Sequence, residues 1–510
     1  MLARIESAGI FGLTGFRVTV EADLSNGLPH YELVGLPDAA VKESRERVRS
    51  AIKNSGFVYP NSRLILNLAP ADLRKEGPLY DLPIAVAILA VSRQIELGEL
   101  SDAAFIGELS LNGDVHGVKG MISMIIDLKE RGVKTAVIPA ENAAEAAYVD
   151  GITILPVRNL AELVSHLKKE CVISPAVSHP FTPSELSETD VDLAQIKGQE
   201  QAKRALEIAV AGSHNILLIG PPGSGKTMLA KAAAGILPAL SFEESLEITK
   251  IHSVSGELKD GIVSKRPFRS PHHSASTPSL TGGGIRSVPG EVSMAHNGVL
   301  FLDELPEFTR ESLEALRQPI EDGVVSISRV NAKVTYPAKF MLIASMNPCP
   351  CGYYGDPSDR CRCTQHQISR YLSKISGPLL DRIDLHIEVA RPQYEHLTDK
   401  NAGESSKIVR ERIDFVRNIQ RKRYNGTSVH CNSQLTGSLF DEFCTPDPAG
   451  KELLKIAFDQ LGLSARSYKR ILMVARTIAD LAGADEISSV HIAEAIQYRS
   501  LDRKYWGDFH

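Results

Sequence analysis

Hydrophobic positions along the chain fall into two kinds of run. In the first third, short apolar stretches at Phe16–Ala22, Leu64–Leu68 and Ala136–Pro139 read as strands. Between residues 39 and 55, Val41, Val48 and Ile52 recur at helical spacing among Lys, Glu and Arg, which predicts a helix with one buried face. Residues 173–190, ISPAVSHPFTPSELSETD, are rich in proline and small polar residues and predict an exposed linker. From 191 to about 395, helical stretches alternate with largely apolar strand candidates at 215–220, 299–302 and 340–345 and a further strand candidate at 385–389, the pattern of a parallel α/β layer. After a polar stretch at 396–406 the remainder reads as helical, ending at 488–499. The expected division is a mixed block at 1–172, a linker at 173–190, an α/β core at 191–395 and a helical domain at 396–510.

Composition narrows this picture without changing it. The chain has 510 residues, of which 43% are apolar and 23% charged, the profile of an ordinary globular protein with more than one core. Its net charge of −5 excludes a polycation, so any nucleic-acid surface has to be a local patch. No run reaches the roughly 18 apolar residues of a membrane-spanning helix, and the N-terminus, MLARIESAGIFGLTGF, lacks the pattern of a secretory signal. Four of the seven cysteines crowd into residues 349–363, unlike a disulfide framework, so a cytoplasmic location is expected.

The apolar run at 215–220 leads into Gly220-Pro221-Pro222-Gly223-Ser224-Gly225-Lys226-Thr227 and then into a good helix former. This is the G-x-x-x-x-G-K-[ST] pattern between a strand and a helix. Such glycines let the backbone wrap phosphate so that N–H groups and the helix N-terminus face its oxygens. Lys226 is expected to reach the β- and γ-phosphates of ATP, and Thr227 to ligate Mg²⁺. The run at 299–302 ends in Asp303 and Glu304, at the carboxyl end of a strand where α/β sites form. Asp303 suits Mg²⁺, and Glu304 suits polarising the attacking water.

A third apolar strand leads to Asn347, whose amide suits the γ-phosphate or the water, although Asn-Pro also starts turns. Arg382, in SGPLLDRID, is either a residue that acts on a neighbour's site or the partner of Asp381 or Asp384 in a surface salt bridge. Arg466, in the helical tail, is a candidate lid residue over the phosphates.

Cys349, Cys351, Cys361 and Cys363 form C-x-C-x₉-C-x-C directly after Asn347. The quartet fits a structural zinc site that staples its loop, with His366 as a substitute ligand. Reduced, metal-free thiols are the alternative. Two basic segments are candidates for nucleic-acid contact or plain solvated loops: 256–269, with Lys259, Lys265, Arg266 and Arg269, and 323–339, which alternates as a hairpin with Arg329, Asn331 and Lys333 near its tip. His272 and His273 have no accompanying carboxylate motif and read as structural or loop-positioning residues.

The succession GPPGSGKT, RPFRSPHHSAS, GVLFLDEL, MNPCPCG and SGPLLDRIDLHIEV, with the tail LSARSYKRILMVARTIADLAG, resembles the bacterial magnesium-chelatase-like AAA+ family, in its YifB/ComM branch. The resemblance spans essentially the whole chain. It implies a P-loop AAA+ α/β core, a C-terminal helical lid, Asn347 as sensor 1, Arg382 as an arginine finger and Arg466 as sensor 2. It also implies a hexameric ring with ATP between subunits and the hairpin as a pore loop. The activity implied is that of a DNA helicase driving branch migration on single-stranded and branched DNA in natural transformation, alongside recombination proteins and away from membranes. A chelatase-type motor acting on a protein partner is the other implied activity.

The segments 107–142 and RKEGPLYDLPIA resemble the proteolytic α+β domain of Lon. The positions matching the Lon serine and lysine are Leu79 and Ile122, so that resemblance implies the fold without its peptidase chemistry.

Overall fold

A computed structural model describes residues 2–178, 180–184, 191–259, 261–284, 287–329, 332–356, 360–391, 403–461 and 463–506. The chain folds into two compact units, one of residues 1–182 with 241–264 and one of residues 183–240 with 265–510.

The first unit is built on a seven-stranded sheet. Its strands are β1 (Leu2–Phe11), β2 (Thr14–Ser25), β3 (His30–Val34), β4 (Arg63–Ala69), β5 (Ala104–Phe105), β8 (Thr135–Pro139) and β9 (Thr153–Val157), in the order β3-β4-β2-β1-β5-β8-β9. Two short strands, β6 (Glu108–Leu109) and β7 (Val115–His116), pair separately. The expected apolar runs lie inside β2, β4 and β8. On β4 the alternation is strict: Leu64, Leu66 and Leu68 are buried and their neighbours are not, as the two-residue period of a strand requires.

The expected helix over 39–55 is broken at Glu43 into Ala39–Lys42 and Ser44–Asn54, with Val41, Val48 and Ile52 all buried. The helix Asp81–Val91 is buried on nearly every side, which suits its almost wholly apolar sequence. Ile173 is buried and Ala176 N donates to Ile154 O at 2.8 Å, so the start of the 173–190 segment is anchored to this unit. Residues 179 and 185–190 of that segment lie outside the described residues.

The helix Phe242–Ser255 also folds into the first unit. A capping box starts it, Ser241 Oγ accepting from Glu244 N and the Glu244 carboxylate accepting from Ser241 N. Near its end Ser253 Oγ donates to buried Glu145 at 2.8 Å and accepts from Gly120 N at 3.1 Å.

The second unit contains a five-stranded sheet: β10 (Ile216–Ile219), β11 (Phe268–Arg269), β12 (Val299–Leu302), β15 (Met341–Met346) and β16 (Leu385–Glu388), in the order β11-β12-β15-β10-β16. Every pairing is parallel. Ile216, Leu218, Val299 and Phe301 enter a core shared with the C-terminal helices. Leu217, Ile219, Leu300 and Leu302 enter a second core with Phe308, Leu313 and Cys349. Burial on both faces explains why β10 and β12 are uniformly apolar.

The hairpin expected at 323–339 is present as β13 (Val324–Arg329) and β14 (Ala332–Pro337), antiparallel. The C-terminal region is helical, with its longest helices at Ser406–Arg423 and Ala465–Leu481. Buried Asp384 joins three parts of this unit. It accepts from Asn215 N at 2.9 Å and from Arg470 Nη1 at 2.7 Å, and it lies 3.5 Å from His214 Nδ1. Burial pushes its carboxyl up, but the Arg470 charge and the histidine and backbone donors bring it down to about 2. No helix among the described residues is long and apolar enough to cross a membrane.

Candidate active site

Parallel register sets the site. Ile219 pairs with Met346 and Leu302 with Ala344, so β10, β15 and β12 end side by side. Their next residues, Gly220, Asn347 and Asp303, therefore emerge at one edge, the carboxyl end where α/β folds bind ligands.

The loop Gly220–Gly225 leads from β10 to the helix Lys226–Gly235. Gly223 and Gly225 have φ of 76° and 92°, left-handed values that only glycine adopts without strain. At Gly220 a Cβ would stand 2.2 Å from Val389 O, so the loop runs against the backbone beyond β16. Ser224 is buried, and among the described residues its hydroxyl has no hydrogen-bond partner. Lys226 Nζ donates to Gly220 O at 2.7 Å, to Pro221 O at 2.9 Å and to Asn347 Oδ1 at 3.2 Å. Burial lowers its pKa to about 8 against the opposing pull of Asp303 and Glu304. Thr227 Oγ1 donates to Asp303 Oδ2 at 3.0 Å, and Ser345 Oγ donates to Asp303 Oδ1.

A lysine short of counter-charge, a hydroxyl–carboxylate pair and a glycine-lined loop at a helix N-terminus fit a nucleoside triphosphate and Mg²⁺. Thr227 and Asp303 would hold the ion, and Lys226 with the loop backbone would hold the phosphates. Glu304 follows in the left-handed region, with φ of 54°, a strained state that non-glycine residues adopt mainly at functional sites. Its side chain is 56% exposed, and its Oε2 lies 3.3 Å from His273 Nδ1. That contact was invisible in the sequence, where the two histidines carried no partner motif.

Arg382 and Arg466 stand with a different group of residues. Arg382 is buried, donates to Pro378 O at 2.6 Å and pairs with Glu321, rather than with the neighbouring Asp381 or Asp384. The Arg382 hydrogen bond holds the Glu321 carboxyl below its ordinary value, and the charges of Arg466 and Arg470 add to this. Arg466 is exposed in the first turn of Ala465–Leu481, so it shares the electrostatic environment of Glu321. A cavity of about 300 Å³ beside Arg382 is lined by Glu314, Arg317, Gln318, Glu321 and Asp322.

The four cysteines converge. Cys349 Sγ lies 3.3 Å from Cys351 Sγ and 3.8 Å from Cys361 Sγ, and the sulfurs of all four residues lie within 4.8 Å of one another. A tetrahedral tetrathiolate with metal–sulfur bonds of about 2.3 Å separates its sulfurs by about 3.8 Å, so the cluster is compatible with zinc. Among the described residues the converging group is Cys349, Cys351, Cys361 and Cys363, and His366 is not part of it. The same loop touches the phosphate loop, since a Cβ on Gly352 would stand 2.5 Å from Pro222 Cδ and 3.8 Å from Asn347 Cγ.

The basic segments divide. Arg266 donates to Pro238 O and Asn297 O, both at 2.7 Å, and Arg269 pairs with Glu291 at 2.7 Å, so both cations serve the fold. Lys333 is exposed on β14. Arg329 closes β13, but its side chain, like residue 331, lies outside the described residues.

A parallel sheet with a phosphate-type loop after β10, a carboxylate pair after β12 and an amide after β15 marks an AAA+ type P-loop domain. Sequence profiles agree along the chain. "Magnesium chelatase, subunit ChlI" matches residues 192–397, "Subunit ChlI of Mg-chelatase" residues 20–142, and "Magnesium chelatase, subunit ChlI C-terminal" residues 403–499. YifB of Salmonella typhimurium is 45% identical over 508 residues, 98% of each chain. Competence protein ComM of Haemophilus influenzae is 44% identical over 506 residues, again 98% of each. More distantly, a probable DNA helicase MCM8 of Oryza sativa subsp. indica is 24% identical over 250 residues, 48% of this chain and 28% of that one. The chain belongs to the YifB/ComM branch of the magnesium-chelatase-like AAA+ family, whose membership implies an ATPase using ATP and Mg²⁺.

Proposed function

We propose that this chain is an ATP-hydrolysing DNA motor that works as a hexameric ring and promotes branch migration while incoming single-stranded DNA is integrated. The observation that carries the ATPase half is the cluster at the strand ends, where Thr227 bonds Asp303 and Lys226 bonds Asn347. The DNA half draws on similarity to the competence protein and the probable helicase.

Bound ATP with Mg²⁺ supplies the phosphoanhydride whose cleavage drives movement. Lys226 and the loop N–H groups neutralise phosphate charge, Thr227 and Asp303 orient the ion, Asn347 orients the γ-phosphate, and Glu304 accepts from the attacking water. Arg382 serves as the arginine finger of a neighbouring subunit's site, so the complete site is composite, and Arg466 serves as sensor 2, a lid residue over the phosphates. Arg329 and Lys333 on the hairpin contact the DNA backbone, and repetition around a ring makes a basic collar. The cysteine loop takes one structural zinc that braces Pro222 and Asn347; a metal-free, fully active preparation would reject this. The first unit is a Lon-like fold without peptidase chemistry. The protein acts in the cytoplasm beside recombination proteins.

The direct assay uses purified protein, ATP and a labelled three-stranded or four-way DNA junction at low salt, where phosphate contacts are strongest. ATP-dependent strand displacement is expected from the wild type and not from Glu304→Gln. The profile matches to a chelatase subunit favour a second reading, a motor that remodels a protein partner. Robust ATPase activity with no junction processing would select that reading.

A further inference from the structure

The guanidinium assigned above to a neighbour's ATP is already bound within its own chain. Arg382 Nη1 donates to Pro378 O at 2.6 Å, and Nη2 donates to the Glu321 carboxylate. The two aspartates beside Arg382 in sequence are engaged elsewhere. Asp384 accepts from Arg470 Nη1 at 2.7 Å, and Asp381 lies 3.5 Å from Ser467 Oγ and 3.9 Å from Arg499 Nη2. Among the described residues, Glu321 is therefore the one carboxylate paired with Arg382.

The two partners are unequally placed. The Arg382 side chain is 9% exposed and that of Glu321 is 51% exposed. A buried charge stripped of its partner is costly, so Arg382 can leave Glu321 only by taking another anion. Glu321 loses less on parting, because water already reaches it. Its carboxyl is held below the ordinary value first by the Arg382 hydrogen bond, but the charges of Arg466 and Arg470 also contribute and would remain.

Room and donors are at hand for the exchange. Arg382 Nε is buried with no hydrogen-bond partner among the described residues. The cavity of about 300 Å³ beside it is also lined by Glu321 and Gln318. Arg317, the other cation on its wall, is already paired with Glu314 at 2.5 Å. A phosphate group carries more charge than a carboxylate and matches the guanidinium fork, so it can outcompete Glu321 for Arg382.

We infer that Glu321 is a latch on the arginine finger: it holds Arg382 in reserve and gives it up when a neighbouring subunit's triphosphate arrives. This rests on Arg382 acting on a neighbour's site. A finger held by Glu321 contributes nothing to hydrolysis, so loosening the latch raises turnover. A residue that only held the fold together would have the opposite effect when weakened.

Glu321→Gln keeps the shape of the side chain and an acceptor for Nη2 but removes the charge, and a neutral hydrogen bond is about half as strong. In steady-state ATP hydrolysis by the full chain, at one fixed chain concentration, kcat/KM is expected to rise about 3–10-fold, because more fingers are free to engage. In an Arg382→Ala background the same substitution should change kcat/KM by less than about twofold, since no finger is left to release.

An unchanged or lowered kcat/KM in Glu321→Gln would overturn the inference. So would an equal rise in the Arg382→Ala background, which would place the effect on another residue. If Glu321→Gln does not fold, Glu321→Asp, whose carboxylate is one methylene short of Nη2, takes its place with a rise again expected. Undiminished turnover in Arg382→Ala alone would reject the finger reading, and the latch with it. Diminished turnover there, with Glu321→Gln matching the wild type, would reject the latch alone.

Discussion

The two sheets of this protein, one mixed and one wholly parallel, reach opposite chemical ends. In the seven-stranded sheet's unit, Leu79 is 6% exposed and Ile122 is fully buried, and both belong to its apolar core. These are the positions at which resemblance to Lon would call for a serine and a lysine. In the five-stranded sheet's unit, the residues following β10, β12 and β15 include a lysine, a threonine, two carboxylates and an amide, and several bond one another across the strand ends. A sheet supplies a place for chemistry at its carboxyl edge, but it does not compel any. Within the second unit that chemistry is carried by a handful of side chains at loops and helix starts.

Substitution on each side should sharpen this contrast. Lys226→Ala removes the cation facing the phosphates and is expected to reduce ATP turnover by at least about 100-fold, as loss of a preorganised charge stabiliser does. The fold should remain, as judged by an unchanged circular dichroism spectrum. Ile122→Lys, in the other unit, should do the reverse. It buries an unpaired ammonium and is expected to cost about 3–5 kcal/mol in chemical denaturation while generating no peptidase activity.

A smaller effect is expected at Asp384. Its folded pKa of about 2 lies below the ordinary 3.8, so its stabilisation is fully present above about pH 4 and is lost as pH falls towards 2. At neutral pH that amounts to about 2 kcal/mol. Asp384→Asn should lose this at pH 7 and show a flatter stability profile between pH 4 and 2 in urea titrations. The smallest change is expected from Lys333→Ala, which should weaken DNA binding across sequences and reduce the log–log salt slope by about one. An unchanged slope would remove Lys333 from the DNA surface.

Much of the second sheet is legible in the sequence. Residues 216–219, 299–302 and 340–344 are continuous apolar runs, and each contains or overlaps an observed strand, as does the mixed segment 385–389. Such runs are local signals of burial on both faces. Partners were not legible in the same way. Arg382 had two aspartates close by in sequence, yet it pairs with Glu321, 61 residues away. Asp384 pairs with Arg470, 86 residues away. Periodicity reports which side of an element is buried and says nothing about which charge faces it across a turn.

His273 and Glu304 illustrate the same limit, because β11 and β12 must lie side by side before the two can meet. The membership of 241–264 in the first unit was equally hidden. Its helix begins with an ordinary capping box, and its attachment through Ser253 and Glu145 depends on residues more than 100 positions apart.

Hydrolysis of ATP at the strand-end cluster is the property on which every other role depends. The most direct measurement is ATP binding and steady-state phosphate release by the wild type and Glu304→Gln, compared side by side in Mg²⁺. Both are expected to bind ATP with similar affinity, and phosphate release is expected to fall by about 100-fold or more in the variant. Undiminished phosphate release from Glu304→Gln, or a wild type that binds ATP without turning it over, would contradict it.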